Sequence, residues 1–184
     1  MQLQPRDKEA GTNVTGYSRR RRMILSGTLA VLLVLSIISS AQGSVVIGQS
    51  IAGVKLGDSA AQVETVLGPP TKNELGSLFY TSLGLRISVE HGKVGGILST
   101  SKKQKTSKGI TIGSSRSAVK RAYPKASCLE GPMGPQSLYC AVTARLGGRK
   151  TFTSFLFTTA KGGVVEVELG YGEGLAQELK KGGK

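Results

Sequence analysis

A seven-residue pattern occurs twice in this chain, 56 positions apart. Gly53-Val54-Lys55-Leu56-Gly57-Asp58-Ser59 aligns with Gly109-Ile110-Thr111-Ile112-Gly113-Ser114-Ser115, matching glycine, apolar, polar, apolar, glycine and then cap residues. The match continues with Val63 over Val119, Val66 over Ala122 and Leu67 over Tyr123, the i, i+3, i+4 apolar spacing that marks one face of a helix. Neither copy is large enough for a core of its own, so the two apolar faces are expected to be buried together.

Each copy reads as a short capped helix followed by antiparallel strands. The first helix has Asp58 or Ser59 as N-cap, Gln62 as capping-box partner of Ser59, and Gly68-Pro69-Pro70 as its stop. The second runs from Ser115 to about Tyr123 and ends at Pro124. Ser77-Leu78-Phe79-Tyr80 then corresponds to Ser137-Leu138-Tyr139-Cys140, now 60 positions apart, so loop residues have been inserted in the second copy. Leu85, Ile87 and Val89 alternate with Arg86, Ser88 and Glu90, and His91-Gly92 turns the chain into Val94 and Ile97. In the second copy Phe155 and Phe157 lead through Lys161-Gly162-Gly163 to Val165, Val167 and Leu169, which alternate with Glu166 and Glu168. The expected fold is α+β: two tandem helix-plus-antiparallel-strand repeats forming a joint sheet, with Phe and Tyr turned mostly to the core.

Before the repeats, Arg19 to Arg22 precede an apolar run from Met23 to Ile38, followed by Ser39, Ser40 and Ala41. Arginines hold the amino terminus in the cytoplasm, and the apolar run is the centre of an export signal. As a helix it is about 24 Å long, and the residues up to Gly43 bring it to roughly the 20 residues of a membrane span. Cleavage after Ala41 and retention as an anchor both fit. The chain therefore divides into a cytoplasmic basic segment (1–22), a signal peptide or transmembrane anchor helix (23–43), repeat 1 (44–100), a Lys-rich linker (101–108), repeat 2 (109–171) and a flexible tail (172–184). The protein is expected outside the cytoplasm, secreted or held by a single pass.

Cys128 and Cys140, the two cysteines, are twelve positions apart with no histidine between them, so a four-ligand zinc site cannot be assembled locally. In an oxidising compartment they read as a disulfide, which would stabilise the fold by about 3 kcal/mol through loop closure. Two buried thiols are the alternative.

The formal charge is +14, and the part beyond Ala41, with 19 basic and nine acidic residues, carries +10 of it. The densest cluster is Lys102, Lys103, Lys105, Lys108, Arg116, Lys120, Arg121 and Lys125, with no acid between Glu90 and Glu130. On the second helix Arg116, Lys120 and Arg121 lie opposite Val119, Ala122 and Tyr123 and point outwards. Such a patch suits an anionic envelope polymer or lipid headgroups. The export segment and the lack of interleaved aromatics weigh against nucleic acid.

No catalytic constellation is legible. The single histidine, His91, sits in a hairpin turn, and no Gly-x-Ser-x-Gly pattern occurs. Glu166 and Glu168 share a strand face and read as solvated; no cofactor or metal is implied.

The stretch from Val54 to Pro70 follows apolar-x-apolar-Gly-x-Ser-x-x-x-Val-x-x-x-apolar-Gly-x-Pro, which resembles the outer-membrane assembly lipoproteins of the SmpA/OmlA type. The tandem arrangement over roughly Ile47 to Leu169 also resembles the family of β-lactamase inhibitory protein, secreted repeats of such a unit. There a disulfide follows the helix, as Cys128 and Cys140 follow the second helix here. The resemblance implies helices packed on an antiparallel sheet, and it speaks to fold more than to activity. The matching hairpin loop, Arg145 to Lys150, is basic here, where the inhibitor's is acidic and aromatic. The expected function is a non-enzymatic extracytoplasmic binding module for a protein or anionic envelope component; the alternative is a proteinaceous inhibitor of an extracellular enzyme.

Overall fold

The computed structural model describes residues 44–131 and 134–172. Segments 1–22 and 23–43, and the tail beyond Gly172, lie outside the described residues.

The chain first lays down three short strands, β1 (Ser44–Val46), β2 (Ser50–Ile51) and β3 (Val54–Lys55), before the first helix, α1 (Ala60–Leu67). Ser59 is the N-cap: its Oγ accepts from the Gln62 N–H, and Gln62 Oε1 accepts from the Ser59 N–H in return. Four strands follow, β4 (Lys72–Glu74), β5 (Ser77–Tyr80), β6 (Leu85–Glu90) and β7 (Lys93–Ser99). His91 and Gly92 close the β6–β7 hairpin with positive φ at both, +50° and +74°, as a two-residue turn matched to strand twist requires.

The lysine-rich linker differs from expectation. It contains a strand, β8 (Lys105–Thr106), which pairs in parallel with β1 through Ser44 opposite Lys105 and Val45 opposite Thr106. Its polar side chains carry no apolar alternation, yet Thr106 is buried and its Oγ1 accepts from the Ile110 N–H. The backbone ladder and one satisfied hydroxyl do what hydrophobic patterning usually does.

The second helix, α2 (Arg116–Ala122), is capped by Ser115, whose Oγ accepts from the Ala118 N–H. Then come β9 (Ser127–Gly131), β10 (Gly134–Leu146), β11 (Arg149–Thr158) and β12 (Val164–Tyr171). The fold is mixed α+β, built mostly of antiparallel strands with two helices.

Eight strands form one sheet in the order β4-β5-β6-β7-β12-β11-β10-β9. The last strand of each four-strand run meets the other at the middle, where Ser99, Leu98, Ile97 and Gly96 of β7 face Val167, Glu168, Leu169 and Gly170 of β12. Each helix start is tied to the start of its own inner strand. Gly57 N–H donates to Val94 O and Val94 N–H to Asp58 O, at 2.9 and 2.8 Å. In the second half Gly113 N–H donates to Val164 O and Val164 N–H to Ser114 O, at 2.7 and 2.9 Å.

One face of this sheet carries Leu85, Ile87, Ile97, Val167, Leu169 and Phe155, all buried. Val63 of α1 and Val119 of α2 join them in one core, and Tyr123 stacks on Phe155 with ring centroids 5.9 Å apart. The small sheet, ordered β3-β2-β1-β8, contributes Val45, Ile51 and Val54 to that core. Its β1–β2 turn reaches the large sheet where the Gly48 N–H donates to Thr153 Oγ1 at 2.8 Å. Only glycine serves there: φ is +70° and a Cβ would fall 2.7 Å from Thr151 Oγ1.

Candidate functional site

Strand register assigns every side chain of the large sheet to a face, and the face away from the helices is not uniformly polar. Phe79 lies opposite Arg86, Arg86 opposite Leu98, and Leu98 opposite Glu168. The same row continues through Ser154 to Ala141, while Tyr139 faces Leu156 and Leu156 faces Glu166. Phe152 lies opposite Gly170, where the missing Cβ leaves room for its ring; a Cβ would stand 3.0 Å from the ring carbons. None of Phe79, Leu98, Tyr139, Phe152 and Leu156 belongs to the core cluster. Phe79, Leu98, Tyr139 and Leu156 are half-buried, so they form a second apolar group on the outer face.

The sequence expectation that Phe and Tyr turn mostly to the core is therefore only partly met. Tyr80, Tyr123, Phe155 and Phe157 do so, whereas Phe79, Tyr139 and Phe152 take the opposite face. Strand parity held the signal: Phe152 and Phe155 are three apart, and residues an odd number apart point to opposite faces.

At the middle of that outer face, Glu166 and Glu168 of β12 lie two residues apart on the same side. Desolvation raises the Glu166 carboxyl above its ordinary value of 4.5, and the charge of Glu168 raises it further, while Arg86 works to lower it. Desolvation likewise raises Glu168, against the same lowering effect of Arg86. Lys72 and Glu74 form an ion pair at 2.5 Å at the β4 edge of the same face, and it is the only ion pair among the described residues. The centre of the face thus joins an apolar group to the half-buried Glu166, the exposed Glu168 and the exposed Arg86.

Cys128 and Cys140 are joined in a disulfide, and they stand directly opposite each other in the β9–β10 register. No free cysteine remains.

The eight cations of the basic cluster are all exposed, but they do not act alike. Lys108 Nζ donates to Ala122 O at 2.6 Å and lies 5.0 Å from the centre of the Tyr123 ring. Lys120 Nζ donates to Ala126 O at 2.9 Å. These two close the carboxyl end of α2, where positive charge is favoured by the helix dipole. Lys102, Lys103 and Lys105 lie in and beside β8, Arg121 and Lys125 at the far end of α2. Arg116 stands at the rim of a separate cleft, near Glu130 and Gln136, with Leu138 and Phe157 also lining it.

His91 is exposed in its turn, with Glu90 as its chain neighbour. Among the described residues, no three His, Cys, Asp or Glu side chains gather in a way that would hold a metal ion. No described helix is long and apolar enough to cross a membrane.

No protein-family model matches the chain, and no curated protein matches it in sequence. Among solved structures, the chain is similar to an extracellular protein containing a SCP domain from Bacillus anthracis str. Ames, at 14% identity and a TM-score of 0.46. The alignment covers 66% of this chain and 45% of that one, so this chain spans less than half the length of that protein. A likeness of this size carries no argument about function.

Proposed function

We propose that this chain is an extracytoplasmic, non-enzymatic binding module that recognises a protein partner through the outer face of its eight-stranded sheet. The observation that carries this is the half-buried apolar group of Phe79, Leu98, Tyr139 and Leu156 lying outside the core, beside the half-buried Glu166 and the exposed Glu168. Aromatic side chains supply large contact area at low entropic cost, and two carboxylates set among apolar side chains gain from a cation that arrives with an apolar surround. The occupant is therefore a protein segment that presents a Lys or Arg among apolar residues. The Cys128–Cys140 disulfide and the export segment support a place outside the cytoplasm.

The chain is further read as a duplicated unit. Equivalent caps at Ser59 and Ser115, equivalent backbone ties to Val94 and Val164, and the mirrored strand order support that reading. It is also the reading under which the resemblance to the assembly lipoproteins and the inhibitor family applies.

The outer aromatics favour one second reading, inhibition of an extracellular enzyme by covering its mouth. Both readings use the same face, and they part on whether the captured partner is an enzyme that loses activity in the complex.

The test is capture from envelope and secreted fractions by the full chain and by two face variants, Phe79→Ser with Leu156→Ser, and Glu168→Lys. A 1:1 complex that survives moderate salt with the parent chain and is lost in both variants is the expected result. Equal capture by parent and variants sinks the assignment of the face. Self-association of the parent chain in sedimentation, lost in Glu168→Lys, replaces a foreign partner by a second copy.

A further inference from the structure

The parallel pairing of β1 with β8 fixes where the chain enters the domain relative to its charge. Ser44, which directly follows segment 23–43, lies opposite Lys105. Adjacent strands are about 4.8 Å apart, so this lysine stands beside the entry point. Lys102 and Lys103 come just before it, in a loop held in shape: Lys103 N–H donates to Ser101 Oγ at 3.2 Å, and Thr111 Oγ1–H donates to Lys102 O at 3.0 Å.

The small sheet has two sides. Val45, Ile51, Val54 and Thr106 occupy the inner one and are all buried. Register puts Ser44, Val46, Ser50, Lys55 and Lys105 on the outer one, where Ser50 is buried, Val46 is 41% exposed and both lysines are exposed. An exposed apolar side chain flanked at one strand's remove by Lys55 and diagonally by Lys105, next to the end of an apolar segment, has the composition of a membrane-interface surface. Lys108 and Lys120 have other duties at the end of α2, which leaves Lys102, Lys103 and Lys105 free at the entry point.

We propose that the outer side of the small sheet, with Lys102, Lys103 and Lys105, rests on an anionic lipid bilayer in which segment 23–43 is retained as anchor. This rests on the extracytoplasmic reading above and adds an orientation to it. The small sheet covers the same face of the large sheet as the helices, as the Gly48 to Thr153 bond and the shared core require. Docking there turns the outer face, with Phe79 and Glu168, away from the lipid and toward a partner.

The full chain reconstituted into phosphatidylcholine vesicles, with and without about a third phosphatidylglycerol, tests this by flotation and by lysine acetylation rates read by mass spectrometry. Lys93, at the opposite end of β7 from the linker, is the internal reference. Expected are flotation with both vesicles and, relative to Lys93, a roughly five-fold slowing at each of Lys55, Lys102, Lys103 and Lys105 on the anionic vesicles only, the fold-change to which about 1 kcal/mol of headgroup attraction per lysine converts. High salt restores the rates. A variant carrying Lys102→Glu, Lys103→Glu and Lys105→Glu, with the same melting temperature and no free thiol, should float equally while its Lys55 loses the lipid-dependent slowing. Flotation with equal rates on both vesicles overturns the docking and leaves the anchor standing. Failure to float with neutral vesicles overturns the anchor and the docking with it. Equal rates on vesicles with slowing by soluble polyphosphate overturns the lipid in favour of an anionic polymer.

Discussion

Tyr123 stacks on Phe155 with an interplanar angle of 19°, and the pair is where α2 is pinned to β11. Phe155 is fully buried, and the Tyr123 hydroxyl is buried without a hydrogen-bond partner. The ring therefore holds the helix down while the hydroxyl on it costs stability. Phe155→Ala is expected to destabilise by about 3 to 5 kcal/mol. Tyr123→Phe keeps the ring and the Lys108 contact, removes the unpaired group, and should stabilise by about 1 kcal/mol. Urea denaturation of the two variants checks both signs.

Cys128 and Cys140 tie the edge strand β9 to β10. Reduction, or replacement of both by Ala, is expected to cost about 3 kcal/mol. Thermal unfolding with and without reductant measures it; an unchanged midpoint in the parent chain counts against the bond.

Glu166 and Glu168 predict a pH dependence whose sign is opposite to that of a salt-bridged acid. Their folded-state values lie above the ordinary 4.5, so between the two the folded chain binds more protons than the unfolded one. Stability from this pair rises as pH falls through that window and levels off below it. Replacing both by Gln should raise the melting temperature at neutral pH, and the two curves should converge below pH 4.5. A Gln variant that melts lower at neutral pH would show that the carboxylates are paired instead.

The two serine caps have the same job at equivalent places. Ser59→Ala and Ser115→Ala are each expected to cost about 1 kcal/mol. Ser115 should cost more, because Ser59→Ala keeps the backbone N–H from which Gln62 Oε1 accepts, whereas Ser115→Ala also loses the bond between Ser115 Oγ and Ser117 Oγ. Circular dichroism melts of the two variants decide the order.

Much of this was legible in the chain because it is local. Ser59, Gln62 and Ser115 are helix signals read over four residues, and the His91-Gly92 turn is read over two. The strand at Lys105–Thr106 was not legible, since its place depends on a backbone partner some 60 residues earlier and its side chains carry no apolar period. The outer face was hidden for another reason. Leu78, Phe79 and Tyr80 are all apolar or aromatic, and alternation cannot choose a face when both parities qualify. Register against Arg86 and Leu85 chooses it. The same holds at β10, where Tyr139 and Cys140 are neighbours and only pairing with Leu156 and Phe155 separates them.

Both margins of the large sheet are short. On one side β4 has three residues, two of them an oppositely charged pair; on the other β9 is stapled by sulfur to its neighbour. Strand accretion, by which unfinished sheets grow into fibres or capture extended peptides, has no long apolar border to begin from. The protein's broad outer face is larger than either border.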